Sequence, residues 1–279
     1  MYSVPGREAG ALRPIYLFAD SQLLFWREDG RLFIERLLDD LETDSPKAAY
    51  IGAANGDNPQ FFDLFQASME AIGVRDCMMV RSDPSATEVG FLRSAALILL
   101  AGGDPVRGWR VIEANGVRDA VAGRYYEGAV LCGVSAGAIQ LGFGVYAAGE
   151  NGPPKVLGTF RFVPCVIDVH DEEGRWKNLE RAVSAVGPTV KGIGIPGGGG
   201  MVFHSEDNSI EPIRRPLQEL SIAGVTVADR LLFPASTSND VSTNPGKDYE
   251  GQGGNANGGN GELLQSLPRV GLSEVQRME

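Results

Sequence analysis

Histidine is almost absent: the chain of 279 residues holds two, His170 and His204. Chemistry that needs an imidazole near neutral pH must draw on one of them. Cysteine is nearly as scarce. Cys77, Cys132 and Cys165 are odd in number and far apart. That argues against a disulfide framework and shows no metal-ligand spacing, and it suits a reducing, cytoplasmic compartment. Basic residues are outnumbered, 25 Lys+Arg against 36 Asp+Glu, for a net charge of −11. Phosphate neutralisation needs basic patches, so nucleic acid is not an expected partner. No apolar run reaches the roughly 18 residues of a membrane-spanning helix, so no membrane partner is expected either. The N-terminal stretch MYSVPGREAGALRP lacks the basic region and apolar core of a secretory signal.

Apolar residues make up 43% of the chain, enough to bury a sizeable core. The length fits one large α/β domain or two small ones. Residues 15–19 (IYLFA) read as a buried strand. Residues 31–42 place Phe33, Leu37, Leu38 and Leu41 on one helical face, and 60–72 do the same with Phe61, Phe65, Met69 and Ile72. Between them an apolar run from Ala48 to Ala53 ends in the turn signal Asn55-Gly56-Asp57. A strand at 96–101 stops at Gly102-Gly103-Asp104-Pro105, a helix follows to about Ala122, and Ala129 to Cys132 form a short strand. Strands alternating with helices predict an α/β fold of three layers: an open, mostly parallel sheet with helices on both faces. After about residue 190, short strands near 193–195, 201–203, 209–213 and 222–233 predict a small antiparallel extension at one sheet edge. From about Ala235 the chain turns Ser/Asn/Gly-rich. Such a segment cannot offset its ordering entropy, so a domain over 1–235 and a flexible tail over 236–279 are expected.

Gly133-Val134-Ser135-Ala136-Gly137 is a G-x-S-x-G motif with a strand before it and a helix start after it. A nucleophilic serine at a sharp strand-to-helix turn needs small neighbours two residues away on either side. The N–H of Ala136, at the helix N-terminus, can then stabilise an oxyanion. The same glycine pattern also serves turns that bind phosphate or only pack tightly. A serine needs a base. His170 follows the apolar run Phe162 to Val169, at a strand's C-terminal end, where open α/β sheets gather functional groups. His204 follows Met201-Val202-Phe203 near the antiparallel edge. Sheet-end position favours His170 as the base. Glu150, in Gly149-Glu150-Asn151-Gly152, is a candidate to orient the imidazole; Asp168 and Asp171 lie close to His170 in sequence. Cys132 falls inside the strand and reads as core.

Three anchors, LAGGDPVRGW at 100–109, LCGVSAGAIQLG at 131–142 and VPCVIDVH at 163–170, resemble peptidase family S51, which includes dipeptidase E and cyanophycinase. The resemblance runs from about residue 15 to 230. It implies a class I glutamine amidotransferase-like fold with serine in place of cysteine. It also implies a triad of Ser135, His170 and Glu150, and an oxyanion hole from the Gly103 and Ala136 N–H groups. No metal or cofactor is implied. The expected reaction is hydrolysis of an amide in a small aspartyl or isoaspartyl peptide, with Asp104, Asp168 and Arg175 on the substrate. Lys177 is a weaker candidate, and both cations equally suit a solvated helix start. Acyl transfer on the same triad, and a non-catalytic binder of the same shape, are the alternative functions. A homodimer is left open. Two departures stand out: the acids Asp171-Glu172-Glu173 directly after the histidine, and the glycine run 197–200, where the family often carries an acidic pair.

Overall fold

The computed structural model describes residues 12–41, 43–147, 155–224 and 226–235. The tail expected from 236 onward lies outside the described residues. In chain order the elements begin with β1 (Ile15–Phe18), the hairpin β2 (Arg27–Glu28) and β3 (Arg31–Leu32), and the short α1 (Arg36–Asp39). There follow β4 (Lys47–Ile51), α2 (Pro59–Ala71), β5 (Asp76–Val80), α3 (Ala86–Leu92) and β6 (Leu97–Leu100). Next come α4 (Pro105–Ala114), α5 (Val117–Tyr126), β7 (Val130–Val134) and α6 (Ala136–Leu141). The remainder is β8 (Gly144–Ala147), β9 (Lys155–Gly158), β10 (Cys165–Val169), α7 (Lys177–Val186), β11 (Lys191–Ile195), β12 (Gly200–His204), β13 (Ser209–Ile213), β14 (Leu217–Ala223) and β15 (Thr226–Leu232).

Seven strands form the central sheet in the order β13-β12-β1-β7-β6-β4-β5. The five strands from β5 to β1 run parallel, and β12 and β13 add antiparallel to the β1 edge. Every residue of β1 and of β6 is buried, because helices cover both faces. Alternate residues go to opposite cores. Ile15, Leu17, Ile98, Leu100 and Leu131 meet Trp109, Ile112, Val121 and Tyr125 of α4 and α5 on one side. Tyr16, Phe18, Tyr50, Leu97, Leu99 and Cys132 meet Phe33, Leu37, Phe65 and Met69 on the other. Burial of each such side chain is worth roughly 1.5–3 kcal/mol, so the sheet is locked from both sides.

The expected three-layer architecture is present, with local differences. The apolar spacing at 33–41 is met by a 3₁₀ turn at Phe33–Glu35 followed by the one-turn α1, not by a single helix. The helix expected to reach Ala122 breaks at Asn115-Gly116. There Gly116 takes φ +78°, and Asn115 Oδ1 accepts the Val117 N–H at 3.1 Å, opening α5. The antiparallel strands do not all join one sheet edge. β12 and β13 do, but β11, β14 and β15 form a second sheet with β10, in the order β10-β11-β14-β15. On one face of that sheet α7 buries Leu179 and Val183 against Val166. On the other, Ile167, Val169, Ile193 and Ile195 join the core beneath α6. The segment 196–199 therefore carries the chain from the second sheet back to the first.

Candidate active site

The elbow follows from β7 entering the sheet centre and turning at once into α6. Ser135 sits at φ 49°, ψ −112°, backbone space that a non-glycine residue occupies only when its surroundings impose it. Its N–H donates to the Phe18 carbonyl at 2.9 Å, so the end of β1 holds the turn. Glycine flanks the serine for reasons of space. A Cβ on Gly133 would come 2.6 Å from the Ala138 nitrogen, and one on Gly137 would overlap the Leu100 carbonyl. The loop after β6 lies against the serine: a Cβ on Gly102 would stand 3.3 Å from Ser135 Cβ. Beside it Gly103 takes φ +131°, and its N–H has no acceptor among the described residues. Ala136 opens α6, where first-turn N–H groups lack intrahelical acceptors.

His170 follows β10 at φ 43°, and its N–H remains paired to the Ile195 carbonyl at 2.9 Å. The chain after α6 runs along the start of β10, with the Phe143 N–H on Cys165 O at 2.8 Å and the Val163 N–H on Leu141 O at 3.1 Å. Those bonds bring the second sheet's C-terminal end to the elbow. His170 Nε2 lies 3.1 Å from Ser135 Oγ, the reach needed to take a hydroxyl proton. His204 is elsewhere: on β12 its Nε2 meets Glu211 Oε2 at 3.2 Å, and Arg36 grips the same carboxylate through two bonds. Cys132 is fully buried in β7, and burial pushes its thiol well above the ordinary range. Glu150, the expected orienting acid, lies outside the described residues.

Asp104 caps α4, its Oδ1 accepting the Val106 and Arg107 N–H groups at 2.9 Å each. Asp168 sits on β10 with Oδ1 on the Val169 N–H at 3.0 Å and Oδ2 buried without a partner. Burial pushes its carboxyl up to about 6 and Asp171 adds to the rise, against lowering by the Val169 N–H and His170. Arg175 is exposed, in left-handed backbone at φ 55°, with no contact holding its guanidinium among the described residues. Lys177 begins α7.

Of the three acids after His170, Glu172 is engaged by the main chain. Glu172 Oε1 accepts the Gly197 N–H at 3.0 Å, tying the histidine loop to the glycine crossover. On the other side of that crossover, Asp20 Oδ2 accepts the Gly198 N–H at 2.6 Å. Sequence reasoning missed Asp20, although an Asp directly after the buried strand IYLFA, at a C-terminal sheet end, is a legible signal. Among the described residues, no group of three or more His, Cys, Asp or Glu side chains is placed to hold a metal ion. No described helix is long and apolar enough to cross a membrane.

A sequence model of peptidase family S51 matches residues 25–211. Among solved structures, a peptidase from an acI-B1 Actinobacterium is 16% identical with a TM-score of 0.57; the match covers 82% of this chain and 97% of that one. A candidate peptidase E from Listeria monocytogenes EGD-e is 12% identical with a TM-score of 0.48, covering 80% of this chain and 100% of that one. The first likeness is one of fold. No curated protein matches the chain. The matched stretch spans the elbow, the loop before it and the histidine, and the chain belongs to peptidase family S51 and is a serine-type peptidase.

Proposed function

We propose that the enzyme hydrolyses an amide bond in a small peptide of the aspartyl or isoaspartyl type, through a Ser135–His170–Glu150 triad and an acyl-enzyme. The observation that carries this reading is Ser135 Oγ at 3.1 Å from His170 Nε2 on a strained elbow. His170 takes the hydroxyl proton as Oγ attacks the scissile carbonyl. The carbonyl oxygen, now negative, is received by the Gly103 and Ala136 N–H groups, which face no competing acceptor and need no reorganisation. The tetrahedral adduct collapses as the imidazolium gives its proton to the leaving amine. Water, deprotonated by the same imidazole, then releases the acid. Glu150 stands fifteen residues after Ser135, where the family carries its acid, and in this scheme it holds the imidazole tautomer.

The aspartyl preference rests on the family. Asp104 and Asp168 are assigned to substrate contact on the same ground, and Arg175 to its carboxylate. Incubation with Asp-Xaa, β-Asp-Xaa and Xaa-Lys/Arg dipeptides, with products read by mass spectrometry, tests both parts. Turnover of the Asp series that disappears in Ser135→Ala supports the reading. Full activity in that variant would sink the nucleophile, and cleavage confined to the Lys/Arg series would sink the substrate class. Added amine separates hydrolysis from acyl transfer.

A further inference from the structure

The glycine crossover beside the Ser135–His170 pair is gripped by a cation. Arg214 lies in the turn between β13 and β14 at φ +64°, a conformation that costs an L-residue about 1–2 kcal/mol unless contacts repay it. Its Nη1 donates to the Gly198 carbonyl at 3.2 Å and, at the limit of a hydrogen bond, to Gln22 Oε1 at 3.5 Å. Its guanidinium carbon lies 5.8 Å from the centre of the Trp26 ring. These contacts use one nitrogen of the group. Among the described residues, Nε and Nη2 make no hydrogen bond and no carboxylate lies within ion-pairing distance. The acids nearest in the network, Asp20 and Glu172, hold the Gly198 and Gly197 N–H groups. The result is a guanidinium positioned but not neutralised, with the Nε/Nη2 edge that accepts a carboxylate in fork geometry still unused.

The crossover that Arg214 holds can be placed relative to the elbow. Ser135 hangs on one edge of β1 through the Phe18 carbonyl, and Gly199 on the other, accepting the Ala19 N–H at 3.0 Å. Two strand spacings separate elbow and crossover by about 10 Å. A serine in contact with a scissile carbonyl, one residue of about 3.5 Å, and an arginine–carboxylate contact fit that span. Arg175 has no comparable positioning contacts.

We infer that Arg214 is a specificity-determining residue that reads a substrate carboxylate one residue from the scissile bond. The inference uses the hydrolase reading only to place the substrate. The test is binding, measured by calorimetry on the non-turnover Ser135→Ala enzyme, of Asp-Leu, of its side-chain amide counterpart Asn-Leu, and of Asp-Leu-amide. Adding Arg214→Gln is expected to weaken Asp-Leu about ten- to a hundredfold, the worth of a charged hydrogen-bonded pair. One of the two neutral analogues should lose much less, and which one identifies the carboxylate read. Arg214→Lys should recover part of the preference. An equal loss for all three peptides would make Arg214 a structural clamp on the crossover and overturn the inference. So would an unchanged preference, or no binding of Asp-Leu to Ser135→Ala. If Ser135 proves unreactive while the Arg214-dependent preference persists, the nucleophile assignment fails and the Arg214 assignment stands.

Discussion

Gly137→Ala should disable the elbow, while the same change at Gly90 or Gly123 should strengthen the protein. The added methyl at 137 would overlap the Leu100 carbonyl and stand 2.8 Å from Leu100 Cβ, with backbone rather than a flexible side chain in the way. Overpacking a core costs about 1–3 kcal/mol, and an obstacle of backbone places this site at the upper end. For a domain of this size about 3 kcal/mol lowers Tm by roughly 6–12 °C. Leu100 ends β6, next to the Gly102–Gly103 loop, so relief of the clash moves either the serine or the loop proposed to receive the oxyanion. A displacement of about 1 Å at a reacting group costs on the order of a hundredfold in rate. Gly90 and Gly123 lie exposed in α3 and α5 with nothing within 4 Å of an added Cβ. There alanine relieves the glycine entropy penalty and should add about 0.5–1 kcal/mol each. Thermal scans and initial rates on the three variants decide the matter. A Gly137→Ala enzyme with unchanged Tm and turnover would refute the close-approach reasoning.

The two histidines should separate cleanly. If His170 is the base of the proposed triad, His170→Ala should lose turnover by about 10⁶-fold, as removal of a triad histidine does. His204→Ala, which loses only a half-exposed contact to Glu211, should retain the rate and at most about 1 kcal/mol less stability, read by urea denaturation. Asp168 should leave a signature in the pH dependence of stability. Its carboxyl is raised from 3.8 to about 6 in the fold, chiefly by burial, so the ionised form is the one the fold disfavours. The cost is absent below the unfolded value, grows between about pH 4 and 6, and is complete above. Asp168→Asn removes this pH-dependent cost, so its stability relative to the parent should rise by on the order of 2 kcal/mol between pH 4 and pH 7. Parallel Tm curves across that range would remove the burial argument.

What could be read from the sequence was whatever depends on local pattern. Strands β1 and β6 announce themselves because both faces are covered, so every residue is apolar. The elbow is legible because its glycines answer a steric demand within five residues. Pairing partners are not local. The runs that became β11 and β12 look alike, yet one joins the second sheet and the other the first, because the crossover at 196–199 turns the chain between them. β5 escaped notice since an edge strand buries little: Asp76 is exposed and only Val80 is fully buried. The Asn115-Gly116 break carried its own turn signal, masked by apolar spacing that continues across it. At the site, Ser135 and His170 were found by scarcity and motif. Glu172, Asp20 and Arg214 were not placed, since what they do depends on Gly197 and Gly198 arriving from a distant part of the chain.

The central claim is that Ser135 is a hydroxyl made nucleophilic by His170. A fluorophosphonate reagent tests it without knowledge of the substrate. One equivalent should add to the wild-type chain, peptide mapping should place it on Ser135, and labelling should fall away in His170→Ala but persist in His204→Ala. Absence of labelling, labelling at another residue, or a rate indifferent to His170 would contradict the account.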